Sequence, residues 1–341
     1  MNLKKLLVLL LVLFSVPVYA EVSFISVTGT DAYTQEDDFS NTYDIRVRVS
    51  PNQEKKCQAV RVHQNYFLTA AHCVAGACDN GCSIKVVLHT TPSYEIFTYI
   101  NNTADNQTVF YESGFVDTPY AGQRASDVAV LKFNPMGTVF FFNTKVKRYY
   151  DGRNFLLNAP NAENIVSRVK RRMGSVKELP MISFKNNFYR LNRVLTLITL
   201  DGADREVKVS GDYARDAAGT KNPSYFLKDD RILMTRNFGS KKGVSGSGVM
   251  TNTGELAGIV SFDSSYIKIS TGKVAHTYSG FATFNDRSLR ILRAAMGAAY
   301  EDLIIYDAVE KGFAQSIKKS VLPEPLKMYL DAGAKGELSV T

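Results

Sequence analysis

Short runs that alternate apolar and polar residues recur along this chain, and turn residues separate them. The runs are Tyr43–Val49, Ala59–Val62, Phe67–Ala70, Ile84–His89, Val128–Phe133, Arg193–Leu200, Gly248–Thr251 and Leu256–Ser261. Asn80-Gly81, Asp201-Gly202 and Thr253-Gly254 punctuate them. A period of two sends successive side chains to opposite faces, so each run has one face to bury. Many such strands with turns between them predict an all-β sandwich or barrel. Two stretches carry helical spacing instead. Asn161–Met173 places Ile165, Val166 and Val169 together, and Asp286–Met296 does so with Leu289, Leu292 and Met296 after a capping Asn285 or Asp286. Past Ala299, Val309, Phe313 and Ile317 keep helical spacing until Pro323 and Pro325 break it. This tail, residues 299–341, is short for a core of its own and is expected to pack on the body.

The N-terminus has its own pattern. Lys4 and Lys5 precede an apolar run from Leu6 to Val16, and Pro17-Val18-Tyr19-Ala20 follows. A basic head, a short apolar middle and small residues before the cut predict a signal peptide over residues 1–20, cleaved after Ala20. The apolar run falls short of the ~20 residues that span a bilayer. A secreted or periplasmic protein with no stable membrane insertion is therefore expected. Loss of Lys4 and Lys5 lowers the formal net charge from +8 to +6, a modest excess that gives no reason to expect nucleic acid as a partner. The densest basic cluster is Arg168, Lys170, Arg171, Arg172 and Lys177. It reads as a solvated face, with a proteolytic nick site as the alternative. Four cysteines in an exported chain suggest two disulfides. Cys57 and Cys73 flank a hairpin-like run, and Cys78 and Cys82 enclose the turn Asp79-Asn80-Gly81. Metal ligation is the other reading of four nearby cysteines, but their spacing lacks paired C-x-x-C units, so no metal is expected.

Three segments carry chemistry. A serine hydroxyl near neutral pH needs a base within hydrogen-bond reach, and the base needs an orienting group. His72 follows a strand-like run in the small-residue turn Thr69-Ala70-Ala71, which leaves the imidazole room to face a cleft. Asp127 heads the apolar run Val128–Leu131, where a carboxylate is costly unless paired. Ser245 lies between Gly243 and Gly246, which permit a tight turn. There the N–H groups of Gly243 and Ser245 can converge on a developing oxyanion. Ser247 is the rival nucleophile, but it has no glycine two positions before it that would match. The order His, Asp, Ser is one linear arrangement of the hydrolase triad. α/β-Hydrolases place serine first, which argues against an esterase on that fold.

These segments resemble those of the trypsin/chymotrypsin-like serine proteases. Leu68-Thr69-Ala70-Ala71-His72-Cys73 resembles the family's histidine motif, and Cys57 stands sixteen positions before Cys73 as in its disulfide beside the histidine. Ser126–Lys132 resembles the aspartate motif, Gly243–Ser247 the serine motif, and Gly258–Phe262 the strand that lines the substrate cleft. Val27–Ala32 echoes the start of the mature domain. The resemblance implies two six-stranded antiparallel β-barrels with the site between them, followed by a C-terminal helix and tail. The barrels would fall at roughly 21–134 and 135–284, within a protease domain spanning 21–298. It further implies peptide hydrolysis by His72, Asp127 and Ser245 through an acyl-enzyme, with no cofactor and with protein or peptide substrates.

The departures are informative. Val244 stands where the trypsin branch has an aspartate that pairs with a newly cut N-terminus, so that activation switch is not expected here. Gly246-Ser247 in place of a glycine pair resembles the bacterial glutamyl-endopeptidase-like branch. Aligned without gaps, Gly239 and Ser240 would floor the primary pocket, Ser261, Phe262 and Asp263 would form one wall, and Gly280 the facing one. That floor is uncharged, and the absence of histidine at Ser261 weakens a glutamate preference. The rival function is a binding protein on the same fold with an idle site.

Overall fold

The structure, a computed structural model, describes residues 25–28, 41–50, 53–115, 126–174, 176, 178–184, 189–191 and 195–200, strand segments between 206 and 236, and then 243–251, 253–268, 273–316 and 339–340. The expected leader, Gly239 and Ser240 lie outside these residues. The all-β expectation holds. Nearly all described strands fall into one nine-stranded and one thirteen-stranded sheet.

The nine-stranded sheet is antiparallel. Its order is Arg148–Tyr150, Phe140–Asn143, Tyr94–Asn102, Cys82–Thr90, Thr42–Ser50, Gln53–His63, Tyr66–Thr69, Ala129–Lys132 and Val109–Tyr111. Its last hairpin thus extends past residue 134. Phe67 packs edge-on against Tyr43 and Phe133, each with ring centroids 5.0 Å away. Full burial of a ring like Phe67 contributes about 2–3 kcal/mol. The core of the thirteen-stranded sheet runs Glu206–Gly211, Leu195–Leu200, Gly248–Thr251, Leu256–Lys268, Lys273–Thr283 and Ile232–Arg236. The N-terminal strand Ile25–Thr28 pairs in this sheet, on Glu206–Gly211.

Two helices stand where the spacing placed them. Ala162–Gly174 (α2) follows a shorter helix, Gly152–Asn158 (α1), that the sequence pattern does not announce. Asp286–Met296 (α3) is capped by Asn285, whose side chain accepts from the N–H groups of Arg287 and Ser288. α1 has only Phe155 buried, too few apolar positions to show a period. Asp151 caps it by accepting from the Asn154 N–H at 2.7 Å.

The basic cluster on α2 is not uniformly a solvated face. Arg172 is buried; it donates to the carbonyls of Leu88 at 2.7 Å and Thr42 at 2.8 Å, and it lies 4.3 Å from the Tyr43 ring centroid. Arg61, also buried, donates back to the carbonyls of Arg172 and Met173. The two guanidiniums fasten the end of α2 to the nine-stranded sheet. A nick at Arg172 would require this fastening to open.

The tail corrects another expectation. The helical spacing of Val309, Phe313 and Ile317 forms no helix through Phe313: Ile305–Asp307 pairs in parallel with Met181–Ser183, and Ala314–Ser316 pairs with Tyr189–Leu191. Phe313 is buried while Val309 is 41% exposed. The segment does pack on the body, as strands.

Candidate active site

His72 lies in the single 3-10 turn Ala71–Cys73, directly after the strand Tyr66–Thr69. Ala70 and Ala71 are fully buried, so the small side chains seat this turn against the core. A disulfide joins Cys73 to Cys57 on the neighbouring strand, and the Lys55 ammonium donates to the His72 carbonyl. The second pair, Cys78 with Cys82, is also disulfide-bonded.

Strand pairing delivers the acid. Tyr66–Thr69 runs antiparallel to Ala129–Lys132, with Thr69 opposite Ala129. The residues just beyond that register are therefore neighbours, and these are His72 and Asp127. Asp127 is fully buried. One carboxylate oxygen accepts from the His72 backbone N–H at 2.8 Å, and the other lies 2.8 Å from His72 Nδ1. The Ser261 hydroxyl donates to that second oxygen. Burial alone pushes the Asp127 carboxyl up. The His72 charge, with the hydrogen bonds from His72 and Ser261, outweighs burial and holds it below the usual carboxylate range. With Nδ1 directed at Asp127, Nε2 is the nitrogen left for proton transfer.

The serine segment is a tight turn with positive φ at Gly243 (+98°) and Gly246 (+90°). Gly246 is required on two counts. A Cβ there would stand 2.0 Å from the Gln58 carbonyl oxygen and 2.4 Å from Thr69 Oγ1. The turn is laced to both sheets: the Gln58 N–H of the nine-stranded sheet donates to the Ser245 carbonyl at 2.7 Å, and the Gly246 N–H donates to the Val260 carbonyl of the thirteen-stranded sheet at 2.9 Å. Ser245 is half-buried, whereas Ser247 is fully buried and donates to Gln58 Oε1 at 2.6 Å. Cys73 Sγ lies 3.8 Å from His72 Nε2 and 3.9 Å from the Ser245 carbonyl oxygen, so the ring and the serine backbone flank one sulfur. Among the described residues, the ring makes no hydrogen bond to the Ser245 hydroxyl, and the N–H groups of Gly243 and Ser245 have no acceptor.

The expected pocket-wall residues lie on two neighbouring strands. Ser261 was expected on a pocket wall, yet it is 2% exposed and spends its hydroxyl on Asp127. Phe262 and Asp263 continue the same strand, and Gly280 is buried in the neighbouring one, in register with Phe262. These residues are adjacent in one sheet. Gln58 is the residue sequence reasoning missed. A lone glutamine in a strand gives no signal, yet it holds the serine turn and also bonds the Leu200 N–H and carbonyl at 3.2 and 3.3 Å. Cys57, His72 and Cys73 form a compact group of metal-ligand types, but both sulfurs are committed to the disulfide.

Residues 29–152 match the family model described as Trypsin. Over that segment the chain is similar to the Trypsin family. The matched segment contains His72 and Asp127, and Ser245 lies beyond it. No curated protein matches the sequence. Among solved structures, the chain is similar to a Glu endopeptidase in complex with MPD at 12% identity, covering 75% of this chain and 90% of that one with a TM-score of 0.38. It is also similar to the protease Anisep from Arthrobacter nicotinovorans, at 10% identity, 76% and 97% coverage and a TM-score of 0.39. An inactivated protease paralogue of the scabies mite aligns at 15% identity, 80% and 97% coverage and a TM-score of 0.38. The family match supports a peptidase. Two disulfides fit an extracellular setting. Among the described residues, no helix is long and apolar enough to cross a membrane.

Proposed function

We propose that this chain is an exported serine endopeptidase in which His72, Asp127 and Ser245 form the triad. The observation that carries the reading is the buried Asp127 carboxylate bonded to both the backbone N–H and Nδ1 of His72, with the Ser245 turn seated on the adjoining disulfide. In this reading His72 Nε2 takes the proton of the Ser245 hydroxyl as its oxygen attacks the scissile carbonyl carbon. The tetrahedral oxyanion is held by the N–H groups of Gly243 and Ser245. The carbon–nitrogen bond breaks as His72 returns the proton to the leaving amine. Water, deprotonated by His72, then cleaves the acyl-enzyme ester. Asp127 keeps the ring in one tautomer and stabilises the imidazolium. Residues 1–20 are the leader, cleaved after Ala20, residues 21–298 the protease domain and 299–341 its extension.

A fluorophosphonate probe tests this, applied to the wild type, Ser245→Ala and Ser247→Ala. Labelling of the wild type and of Ser247→Ala, lost in Ser245→Ala, is expected. A folded wild type that takes no label, or a Ser245→Ala protein that still does, overturns the assignment.

A further inference from the structure

The last hairpin of the nine-stranded sheet, Phe140–Asn143 with Arg148–Tyr150, lies at its edge and far in sequence from the triad's serine. Its two faces differ. Phe141 points inward and stacks on Phe155 with centroids 4.4 Å apart. On the other face, Phe142 and Tyr149 are cross-strand partners 4.9 Å apart. Tyr149 and Phe140 also pack on Phe97, at 6.3 and 5.5 Å, which leaves Phe97 fully buried beneath them. Tyr149 itself is 58% exposed.

The turn joining the strands reads Thr144-Lys145-Val146-Lys147, followed by Arg148. All three cations are exposed, and Val146 at the apex is 62% exposed. From Asn134 to Tyr150 the chain carries no acidic residue. The aliphatic apex thus stands between Lys145 and Lys147 at the tip of an aromatic-backed edge, with Arg148 and Tyr149 next below it on opposite faces of the hairpin.

We infer that this hairpin is a docking element for an anionic lipid surface. Charge complementarity selects an anionic partner. The apolar apex selects a lipid one, since an acidic protein or soluble polyanion would be met by the cations and give Val146 no hydrocarbon to enter. At a bilayer, Lys145, Lys147 and Arg148 meet the headgroups, Val146 reaches the acyl boundary and Tyr149 sits at the interface. The contact is peripheral and requires no spanning segment.

Co-sedimentation of the full chain with equimolar phosphatidylglycerol–phosphatidylcholine vesicles tests this, against vesicles of phosphatidylcholine alone. Every variant keeps the same N-terminus, so any contribution of residues 1–20 cancels. The wild type should partition onto the anionic vesicles. Lys145→Gln/Lys147→Gln/Arg148→Gln should lower the partition ~100-fold, at ~5-fold per cation. Val146→Ser should lower it severalfold. The substitutions are confined to an exposed turn, and an unchanged circular dichroism spectrum establishes that each variant is folded. Equal partition of wild type and triple variant overturns the proposal. So does a Val146→Ser protein that binds vesicles as the wild type does, while heparin binding shows the same dependence on the three cations. That result would make the hairpin a soluble-polyanion site.

Discussion

The Ser247 hydroxyl donates to Oε1 of Gln58 at 2.6 Å, in a fully buried setting, one position past the turn that presents Ser245. The two serines of the motif are thereby separated into a fastened one and a half-exposed one. Gln58 is the hub of this fastening, bonded to Ser245, Ser247 and Leu200 of the other sheet. Ser247→Ala should cost about 1–3 kcal/mol, the range for disturbing a buried hydrogen bond, and keep its probe labelling. Gln58→Leu strands several buried partners and should cost more than Ser247→Ala while also reducing labelling. Urea unfolding followed in parallel with labelling checks both.

Under the proposed function Ser261 acts through Asp127 as a positioning residue. Loss of its hydroxyl removes one of the hydrogen bonds that favour the carboxylate. Hydrogen bonds to charged groups contribute about 1.5–3 kcal/mol, so Ser261→Ala should lower kcat by roughly tenfold or more and leave KM little changed. A rise in KM at constant kcat would instead assign Ser261 to the substrate pocket.

The Asp127 carboxyl is held below its ordinary range in the folded protein. A depressed carboxyl contributes stability above the unfolded value of about 3.9, and that contribution is lost as pH falls through the folded value. Asp127→Asn should therefore be less stable than wild type at neutral pH, and the gap should close below about pH 4. Thermal unfolding of both proteins across acid pH measures the gap, and a constant difference would contradict the linkage.

Two glycines of the serine turn share a positive φ but differ in surroundings. A Cβ added at Gly243 would meet nothing within 4 Å, while one at Gly246 would run into Gln58 and Thr69. Gly243→Ala should cost only the backbone strain of about 1–2 kcal/mol. Gly246→Ala adds a backbone collision and should fail to hold the turn, losing labelling and cooperative unfolding. Comparable melting temperatures for the two variants would refute this distinction.

The all-β class, both main helices, the Cys57–Cys73 and Cys78–Cys82 pairs, and the neighbourhood of His72 and Asp127 were legible because each is written in local pattern. Period-two runs mark strands, Asn285 marks a helix start, and four cysteines clustered within residues 57–82 have few ways to pair. Other features could not be read this way. Ser261 reaches Asp127 across 134 residues and Ser247 reaches Gln58 across 189. The helical spacing after Ala299 gave way to strands because sheet edges at Met181–Ser183 and Tyr189–Leu191 could pair with that segment. Arg172 left the solvated face its neighbours share because the carbonyls of Leu88 and Thr42 lay within its reach. Residue type and spacing by themselves determined the all-β class, the main helices and the approach of Asp127 to His72. Only the tertiary structure decided which polar groups are buried fasteners, because a hydrogen bond between distant residues depends on sheet register and burial, and neither leaves a periodic trace in the sequence.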